Sequence, residues 1–146
     1  MVSSARVVLR PATRSDAGGI RALFARLGDD AIRSRFFGGF VDFADEAEHE
    51  GLVAVEGEVV VGHAAIRRVG PAAAEFAVAV DPARRRAGVG AGLVRGLADQ
   101  ARDDGVALLL AEVRPGNAAM LALLAGLGLP VRVREAGDRV RVEVAV

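Results

Sequence analysis

The chain has 146 residues, and its 19 Lys and Arg residues balance its 19 Asp and Glu residues. This length predicts a single domain over residues 1–146 with a buried core. The zero net charge gives no general attraction to nucleic acid or to an anionic membrane. There is no cysteine for disulfides or thiol catalysis, and two histidines (His49 and His63) do not predict a metal site. Without an 18-residue apolar run or a signal-peptide pattern, a cytoplasmic protein is expected.

The N-terminal part of the chain is predicted to form a strand followed by two helices. Ala5–Leu9 is a short β-branched segment typical of a strand. Thr13 or Ser15 is expected to cap a helix that runs to about Leu27, since apolar residues recur there at helical spacing. Asp29–Phe36 is predicted to be a second, shorter helix.

The rest of the chain alternates strands and helices. Leu52–Val55 and Val59–Arg67 flank a Glu-Gly-Glu turn, which predicts a hairpin. Val106–Val113 is almost wholly apolar, as expected for a central strand that is covered on both faces. The other predicted elements are a strand at Glu75–Val80, a helix from about Gly88 to Asp104, a helix at Asn117–Leu127, and strands at Val131–Val133 and Val140–Val144. The order β-α-α-β-β-β-α-β-α-β-β predicts an α/β fold with a mixed central β-sheet flanked by helices.

A loop rich in arginine and glycine joins the Glu75–Val80 strand to the following helix. Its sequence is Arg85-Arg86-Ala87-Gly88-Val89-Gly90. Glycines let backbone N–H groups converge on an anion, the helix N-terminus adds its dipole, and arginines add positive charge. The spacing does not match the dinucleotide fingerprint, and a chain without lysine cannot form the nucleoside-triphosphate P-loop. These features predict a site for a cofactor that carries a pyrophosphate.

This loop resembles the acyl-CoA loop of the GCN5-related N-acetyltransferases (GNAT), whose pattern is Arg/Gln-x-x-Gly-x-Gly/Ala. The resemblance covers nearly the whole chain, since Leu9–Asp16, Glu58–Ala64 and Asn117–Leu129 look like the family's opening strand, second hairpin and closing helix. Two further segments, Arg33–Phe37 and Ala74–Val80, are similar to the bacterial protein-lysine acetyltransferase branch of that superfamily.

The resemblance implies that acetyl-CoA is the co-substrate. In the family, the strand corresponding to Glu75–Val80 splays from its neighbour, and its backbone groups bond the pantetheine arm and the thioester carbonyl. Asn117 has two interpretations, as a helix N-cap and as a cofactor contact. At least one of Arg84, Arg85 and Arg86 is expected to be only a solvated surface charge. The expected cofactor-binding residues are Val78, Ala79, Val80, Arg85, Arg86, Ala87, Gly88, Val89, Gly90, Ala91 and Asn117.

Glu75 is the candidate catalytic base. An alkyl ammonium has a reference pKa near ~10.4, so the acceptor amine must lose a proton before it can attack. Glu75 is a carboxylate beside an apolar strand, and the family branch places a glutamate there. The alternative is that Glu75 is a solvated residue paired with Arg67 or Arg68. Leu124 stands where many family members have the tyrosine acid, so the thiolate leaves unaided or through water, or transfer is weak.

Two features near the predicted second helix concern the acceptor. Phe36, Phe37, Phe40 and Phe43 either pack a helix against the sheet or form the wall of an acceptor cleft. The acidic run Asp42–Glu50 is either a solvated surface or an attraction for a cationic amine. His63, on an apolar strand, is interpreted as a core residue rather than a catalyst.

The sequence therefore predicts an acyltransferase that moves an acetyl group from acetyl-CoA to an amine. By resemblance, the leading acceptor is a protein lysine. The alternatives are a small amine, amino acid or antibiotic as acceptor, and a non-catalytic sensor that binds acyl-CoA. No nucleic-acid or membrane partner and no metal are expected, and the oligomeric state is left open, a homodimer included.

Overall fold

The computed structural model describes residues 6–27, 51–84, 88–113, 118–137 and 139–146. The predicted second helix, the Arg33–Phe37 motif, the phenylalanine cluster and the acidic run Asp42–Glu50 lie outside the described residues. The same holds for Arg85, Arg86, Ala87 and Asn117 of the predicted cofactor site.

Strands and helices alternate through the described residues nearly as predicted, and the α/β class is confirmed. The strands are β1 (Val7–Pro11), β2 (Leu52–Glu56), β3 (Val59–Arg68), β4 (Ala73–Val80), β5 (Leu108–Val113), β6 (Val131–Ala136) and β7 (Arg139–Ala145). The α-helices are α1 (Ala17–Leu27), α2 (Val89–Asp103) and α3 (Ala118–Ala125). Short 3-10 turns at Arg14–Asp16 and Pro82–Arg84 precede α1 and follow β4. None of the helices in the described ranges is long and apolar enough to cross a membrane.

The strands form one mixed sheet in the order β1-β2-β3-β4-β5-β7-β6. Neighbouring strands are antiparallel except β4 and β5, which are parallel. A parallel pair needs a crossover connection, and α2 provides it between β4 and β5. The apolar run that becomes β5 lies inside the sheet, between β4 and β7, as its composition predicts.

Alternate residues of β4 face two different hydrophobic cores. Phe76, Val78 and Val80 belong to the core under α2, together with Leu93 and Leu97 of that helix. Ala77 and Ala79 belong to the core under α1, where they join the buried side chains of Ile20, Leu23, Val53, Val60 and Ala65. Because side chains alternate along a strand, Glu75 lies on the α1 face of the sheet.

His63 lies in the core on the α1 side and is fully buried, with 0% of its surface exposed. Its ring meets the edge of Phe24, with 6.1 Å between ring centroids. Burial lowers the pKa of His63 to about 4, against a smaller opposing effect from the charge of Asp16. The side chain is therefore neutral at physiological pH, which confirms the interpretation of His63 as a core residue.

A buried carboxylate joins β1 to the start of α1. Asp16 is 6% exposed and accepts hydrogen bonds from the Thr13 N–H and from two nitrogens of Arg10, all at 2.8 Å. Asp16 and Thr13 are thus reciprocally bonded, since the Asp16 N–H also donates to the Thr13 carbonyl at 3.0 Å. The Arg10 hydrogen bond is the main cause that lowers the pKa of Asp16 to about 2.

We expect Asp16→Asn to lower the free energy of unfolding by about 1–2 kcal/mol at pH 7, because it removes the charge from these hydrogen bonds. The native pKa of Asp16 is depressed, so its contribution is present above the unfolded value and lost as pH falls towards about 2. Urea unfolding at several pH values should therefore show the difference between the two proteins shrinking below pH ~4. Asp99→Asn, which breaks the exposed pair of Asp99 with Arg102, is the control with little effect. A difference that stays constant down to pH ~2.5 would contradict the account.

Candidate functional site

The parallel strands β4 and β5 pair over only part of their length. Their register joins Ala73 to Leu108, Ala74 to Leu109 and Glu75 to Leu110, and it goes no further. On its other side, β4 stays paired with β3 as far as Val80, which lies opposite Gly62. Within the described part of the chain, the last five residues of β4 therefore have one open edge, on the side of β5.

Hydrogen bonds at the two ends of β4 show which of its residues face that open edge. The Ala72 carbonyl accepts the Leu108 N–H of β5 at 3.1 Å, whereas the Asp81 N–H donates to the Val61 carbonyl of β3 at 2.8 Å. Backbone groups alternate between the two edges of a strand, so Val78 and Val80 direct their N–H and C=O groups towards the open edge. Both residues were predicted to bind the cofactor through these groups.

Ala79 was predicted to belong to the same set, but its backbone has a different orientation. It lies opposite His63 in the β3–β4 register and has the same parity as Asp81, so its N–H and C=O groups face β3. Its side chain is fully buried in the core under α1. The open edge thus lacks the backbone groups of Ala79, and the prediction that Ala79 binds the cofactor stays a prediction.

The N-terminus of α2 lies beyond the end of β4. Gly88 precedes the helix with φ of 77°, a left-handed conformation that a side chain would strain, and its carbonyl accepts the Gly92 N–H at 3.0 Å. The leading N–H groups of Val89, Gly90 and Ala91 have no acceptor within the helix, and no described side chain caps it. With the helix dipole, these groups can bind an anion.

The first turn of α2 is packed against β4 and α3. A Cβ atom on Gly90 would lie 2.6 Å from Leu123 Cδ1 and 3.6 Å from Val80 Cγ2. Gly90 is therefore a close-approach glycine that lets α2 sit beside the end of β4. A Cβ atom on Gly88, in contrast, would have no neighbour within 4 Å among the described residues. The first turn of α2, named the anion-binding turn after the role proposed for it below, is thus held next to the open edge of β4.

Glu75 lies at the point where β4 and β5 separate. It is the last residue of β4 in register with β5, and its side chain is 32% exposed. Arg67, its partner across β3 and β4, donates from Nη2 to Glu75 Oε2 at 3.0 Å. Arg68 instead donates to the carbonyls of Pro71 and Asp104. The alternative prediction, that Glu75 forms an ion pair with Arg67, is confirmed. The pair holds the carboxylate beside the point where β4 and β5 separate.

Two further residues, Leu124 of α3 and Glu112 of β5, are relevant to acyl transfer. Leu124 of α3 is 0% exposed and belongs to the core under α2, so this position offers a packed aliphatic side chain and no hydroxyl. Glu112 was missed by the sequence analysis. It is the one charged residue of β5, lies beyond the last residue that pairs with β4, and is in register with Arg141 of β7. The sequence signal that could have identified Glu112 is a lone acidic residue in an otherwise apolar strand.

A mixed sheet with one strand pair splayed apart, and a glycine-flanked helix N-terminus beside the gap, defines an acyl-CoA-binding α/β domain of the acetyltransferase class. The family model "Acetyltransferase (GNAT) family" matches residues 20–129, and the chain belongs to that family. The predicted superfamily is therefore confirmed, and with it an acyltransferase family whose acyl donor is acetyl-CoA.

The chain is similar to named members of the family. Over 53 residues it is 47% identical to the [ribosomal protein bS18]-alanine N-acetyltransferase of Escherichia coli K12, an alignment that covers 36% of each chain. The chain thus spans about a third of the length of this curated relative. The GNAT domain of S. lividans PAT has a similar fold, with a TM-score of 0.83, 24% identity, and coverage of 94% of this chain and 89% of that one. The structure of yncA from Salmonella typhimurium, solved with its cofactor acetyl-CoA, also has a similar fold. Its TM-score is 0.72 at 24% identity, with coverage of 96% of this chain and 92% of that one.

Proposed function

We propose that this protein transfers the acetyl group of acetyl-CoA to an amine on a protein, with a lysine side chain as the leading acceptor. The observation that carries the proposal is the open edge of β4 beside the N-terminus of α2, which no described side chain caps. Backbone hydrogen-bonding groups inside a sheet are normally paired, so an open stretch lined by Val78 and Val80 favours a ligand with polar groups along its length. The amide-bearing pantetheine arm has that character.

The diphosphate of the donor fits the neighbouring helix end. Val89, Gly90 and Ala91 offer N–H groups without intrahelical acceptors, and the helix dipole favours a negative charge there. Among the residues that the structure describes, none lies within 4 Å of a Cβ atom placed on Gly88, just before that turn. The predicted loop sequence also contains Arg85 and Arg86, and their residue type favours an anionic ligand. The donor supplies a thioester-activated acetyl group, and the chain orients it along β4.

The base in this proposal is Glu75. Its carboxylate lies where β4 and β5 diverge, held there by the ion pair with Arg67. From that position it accepts a proton from the incoming ammonium, so that a neutral amine meets the acyl group. The departing thiolate receives no proton from a tyrosine, since the chain has none and Leu124 is buried. A simple thiol has a pKa near ~8.5, so a thiolate is a good enough leaving group to depart unaided or be protonated by water.

A protein N-terminus is the second candidate acceptor. It is favoured by the 47% identity to a ribosomal-protein-alanine N-acetyltransferase over 53 residues. A lysine side chain and an N-terminal amine differ in basicity, with reference pKa values near ~10.4 and ~8, so the lysine depends more strongly on a base. The resemblance of Arg33–Phe37 and Ala74–Val80 to the protein-lysine branch supports lysine.

Thiol-release assays with three acceptors distinguish a lysine side chain, a protein N-terminus and a small amine as the substrate. We expect thiol release from acetyl-CoA with a peptide that has one internal lysine and a blocked N-terminus, and about tenfold lower kcat/KM with a lysine-free peptide that starts with alanine. A small diamine is the third acceptor. Since the protein contains no lysine, its own labelling should stop at the N-terminal amine, which keeps the background low. Preference for the alanine peptide or the diamine would overturn the lysine assignment, and binding of acetyl-CoA without any thiol release would indicate a sensor.

A further inference from the structure

At least one of Arg84, Arg85 and Arg86 was expected to be only a solvated surface charge, and Arg84 makes a specific ion pair. It ends the 3-10 turn after β4, and Glu56 ends β2, 28 residues earlier. Arg84 Nε donates to Glu56 Oε2 at 2.8 Å, and Nη2 donates to Oε1 at 2.7 Å. Two parallel bonds between a guanidinium and a carboxylate form the most directional ion pair available to proteins. Both side chains are partly shielded from solvent, being 33% and 22% exposed.

The same turn is also bound to α1 through Asp81. The Asp81 carboxylate accepts the Ala83 N–H at 3.0 Å and Arg26 Nε at 3.1 Å. Arg26 also donates from Nη2 to the Val60 carbonyl at 2.7 Å. The turn is closed by the Arg84 N–H, which donates to the Asp81 carbonyl at 2.8 Å. The segment that leaves β4 is thus attached to both β2 and α1.

These contacts bear on the anion-binding turn, because Arg84 is four positions before Gly88. Packing of Gly90 against Val80 and Leu123 anchors the first turn of α2 from one side. The pair of Glu56 and Arg84 anchors the end of the 3-10 turn, four positions before Gly88 in the chain. Two guanidinium nitrogens of Arg84 are used by Glu56, which leaves the arginine poorly placed to bind a phosphate as a fork.

We propose that Glu56 and Arg84 form a latch that positions the N-terminal turn of α2 for the diphosphate of the acyl donor, so that Arg84 is a positioning residue and not a phosphate ligand. This inference rests on the proposed function. The latch links the β2–β3 hairpin to the donor site, and neither of its residues touches the donor.

Substitution of the two latch residues distinguishes positioning from phosphate binding. If Arg84 bound phosphate, Glu56→Gln would free the arginine and leave the affinity for acetyl-CoA unchanged or higher. If the pair positions α2, Glu56→Gln and Arg84→Gln should each raise the KM for acetyl-CoA by about five- to tenfold, with kcat nearly unchanged. The double variant should be no worse than either single one, because both remove the same contact. The exchange of charges in Glu56→Arg/Arg84→Glu should recover part of the loss.

A truncated donor shows whether the effect acts through the diphosphate. Acetyl-pantetheine has the thioester and the pantetheine arm but lacks the diphosphate and the nucleotide. We expect the single variants to use acetyl-pantetheine as well as the wild type does, while they are impaired with acetyl-CoA. Arg102→Gln is the matched control, since it breaks an exposed ion pair on α2 itself, away from the N-terminal turn. It should change neither KM.

The outcomes separate this inference from the function on which it rests. An equal loss with both donors, or an improved KM in Glu56→Gln, overturns the latch while the wild-type activity stands. A wild type that neither binds acetyl-CoA nor releases thiol overturns the proposed function and the latch with it. Thermal melts without donor test folding, and partial recovery in the charge-exchange variant supports the latch even where a single variant is less stable.

Discussion

Gly88→Glu is expected to abolish the thermal stabilisation that we expect acetyl-CoA to give to the wild type. Gly88 precedes α2 and has no described residue within 4 Å of its side-chain position, so we expect a glutamate there to extend in front of the helix N-terminus. Its negative charge would compete for the N–H groups that bind the diphosphate in our proposal. A donor at 100 times its Kd stabilises the native state by about 2.7 kcal/mol, and this is the expected loss. Thermal unfolding with and without acetyl-CoA measures it.

Gly105→Glu is the matched control for this prediction. Gly105 lies after the other end of α2, its φ is 80°, and its side-chain position is also open. Both substitutions therefore carry a similar strain from the left-handed conformation, roughly 1–2 kcal/mol. Only Gly88→Glu places a charge at the N-terminus of the helix. If both variants keep the stabilisation by acetyl-CoA, the helix end does not bind the donor.

Gly90→Glu should also abolish binding, but the structure makes it the less informative variant. A side chain at Gly90 would collide with Leu123 and press on Val80, so it would displace α2 from the end of β4 as well as add a charge. The loss of binding would then have two causes. Gly88 separates the electrostatic effect from the packing effect.

Glu75→Gln is expected to lower kcat by about 10²–10³-fold while the affinity for acetyl-CoA is retained. Glutamine keeps the size of the side chain and can still hydrogen-bond to Arg67, yet it cannot accept a proton from the acceptor. Glu75 is at the last position where β4 pairs with β5. In our proposal Val78 and Val80 bind the donor through their backbones, so the substitution leaves those groups in place. Steady-state rates with the lysine peptide and calorimetric titration with acetyl-CoA measure the two effects separately.

Two control variants define the role of Glu75 further. Arg67→Gln removes the ion pair but leaves the carboxylate, so activity should fall much less than in Glu75→Gln. Glu112→Gln tests a second acidic residue, whose position on β5 is beyond the residues that pair with β4. Full activity of Glu75→Gln together with a large loss in Glu112→Gln would move the role of base from β4 to β5.

Short-range patterns predicted most of the fold. The hairpin around Gly57 follows from glycine in the left-handed conformation, with φ of 63°, between two β-branched segments. The apolar composition of β5 correctly predicted that this strand lies inside the sheet. The first strand is displaced, however, at Val7–Pro11 instead of Ala5–Leu9, because its pairing with β2 sets the register. The first and last residues of a strand thus depend on pairing partners that lie far apart in the sequence.

The candidate site was predicted less completely. The Arg-x-x-Gly-x-Gly pattern located the start of α2, and the resemblance to acetyltransferases pointed to Glu75 and to the backbone of β4. Nothing in the residues themselves showed that Ala79 faces β3, since that depends on which carbonyl accepts the Asp81 N–H. Likewise, Arg67 and Arg68 were equal candidates for the pairing with Glu75, and only the β3–β4 register distinguishes them.

By itself, the sequence determined the helices, the strands, the glycine-flanked helix start and the acetyltransferase family, because these depend on local periodicity, turn residues and a contiguous motif. The tertiary structure alone decided where β4 and β5 separate, that Gly90 packs against Leu123, and that Arg84 pairs with Glu56. Each of these features joins residues that lie far apart in the chain. Their contacts depend on strand order and register, which are collective properties of the packed sheet and which no local pattern encodes.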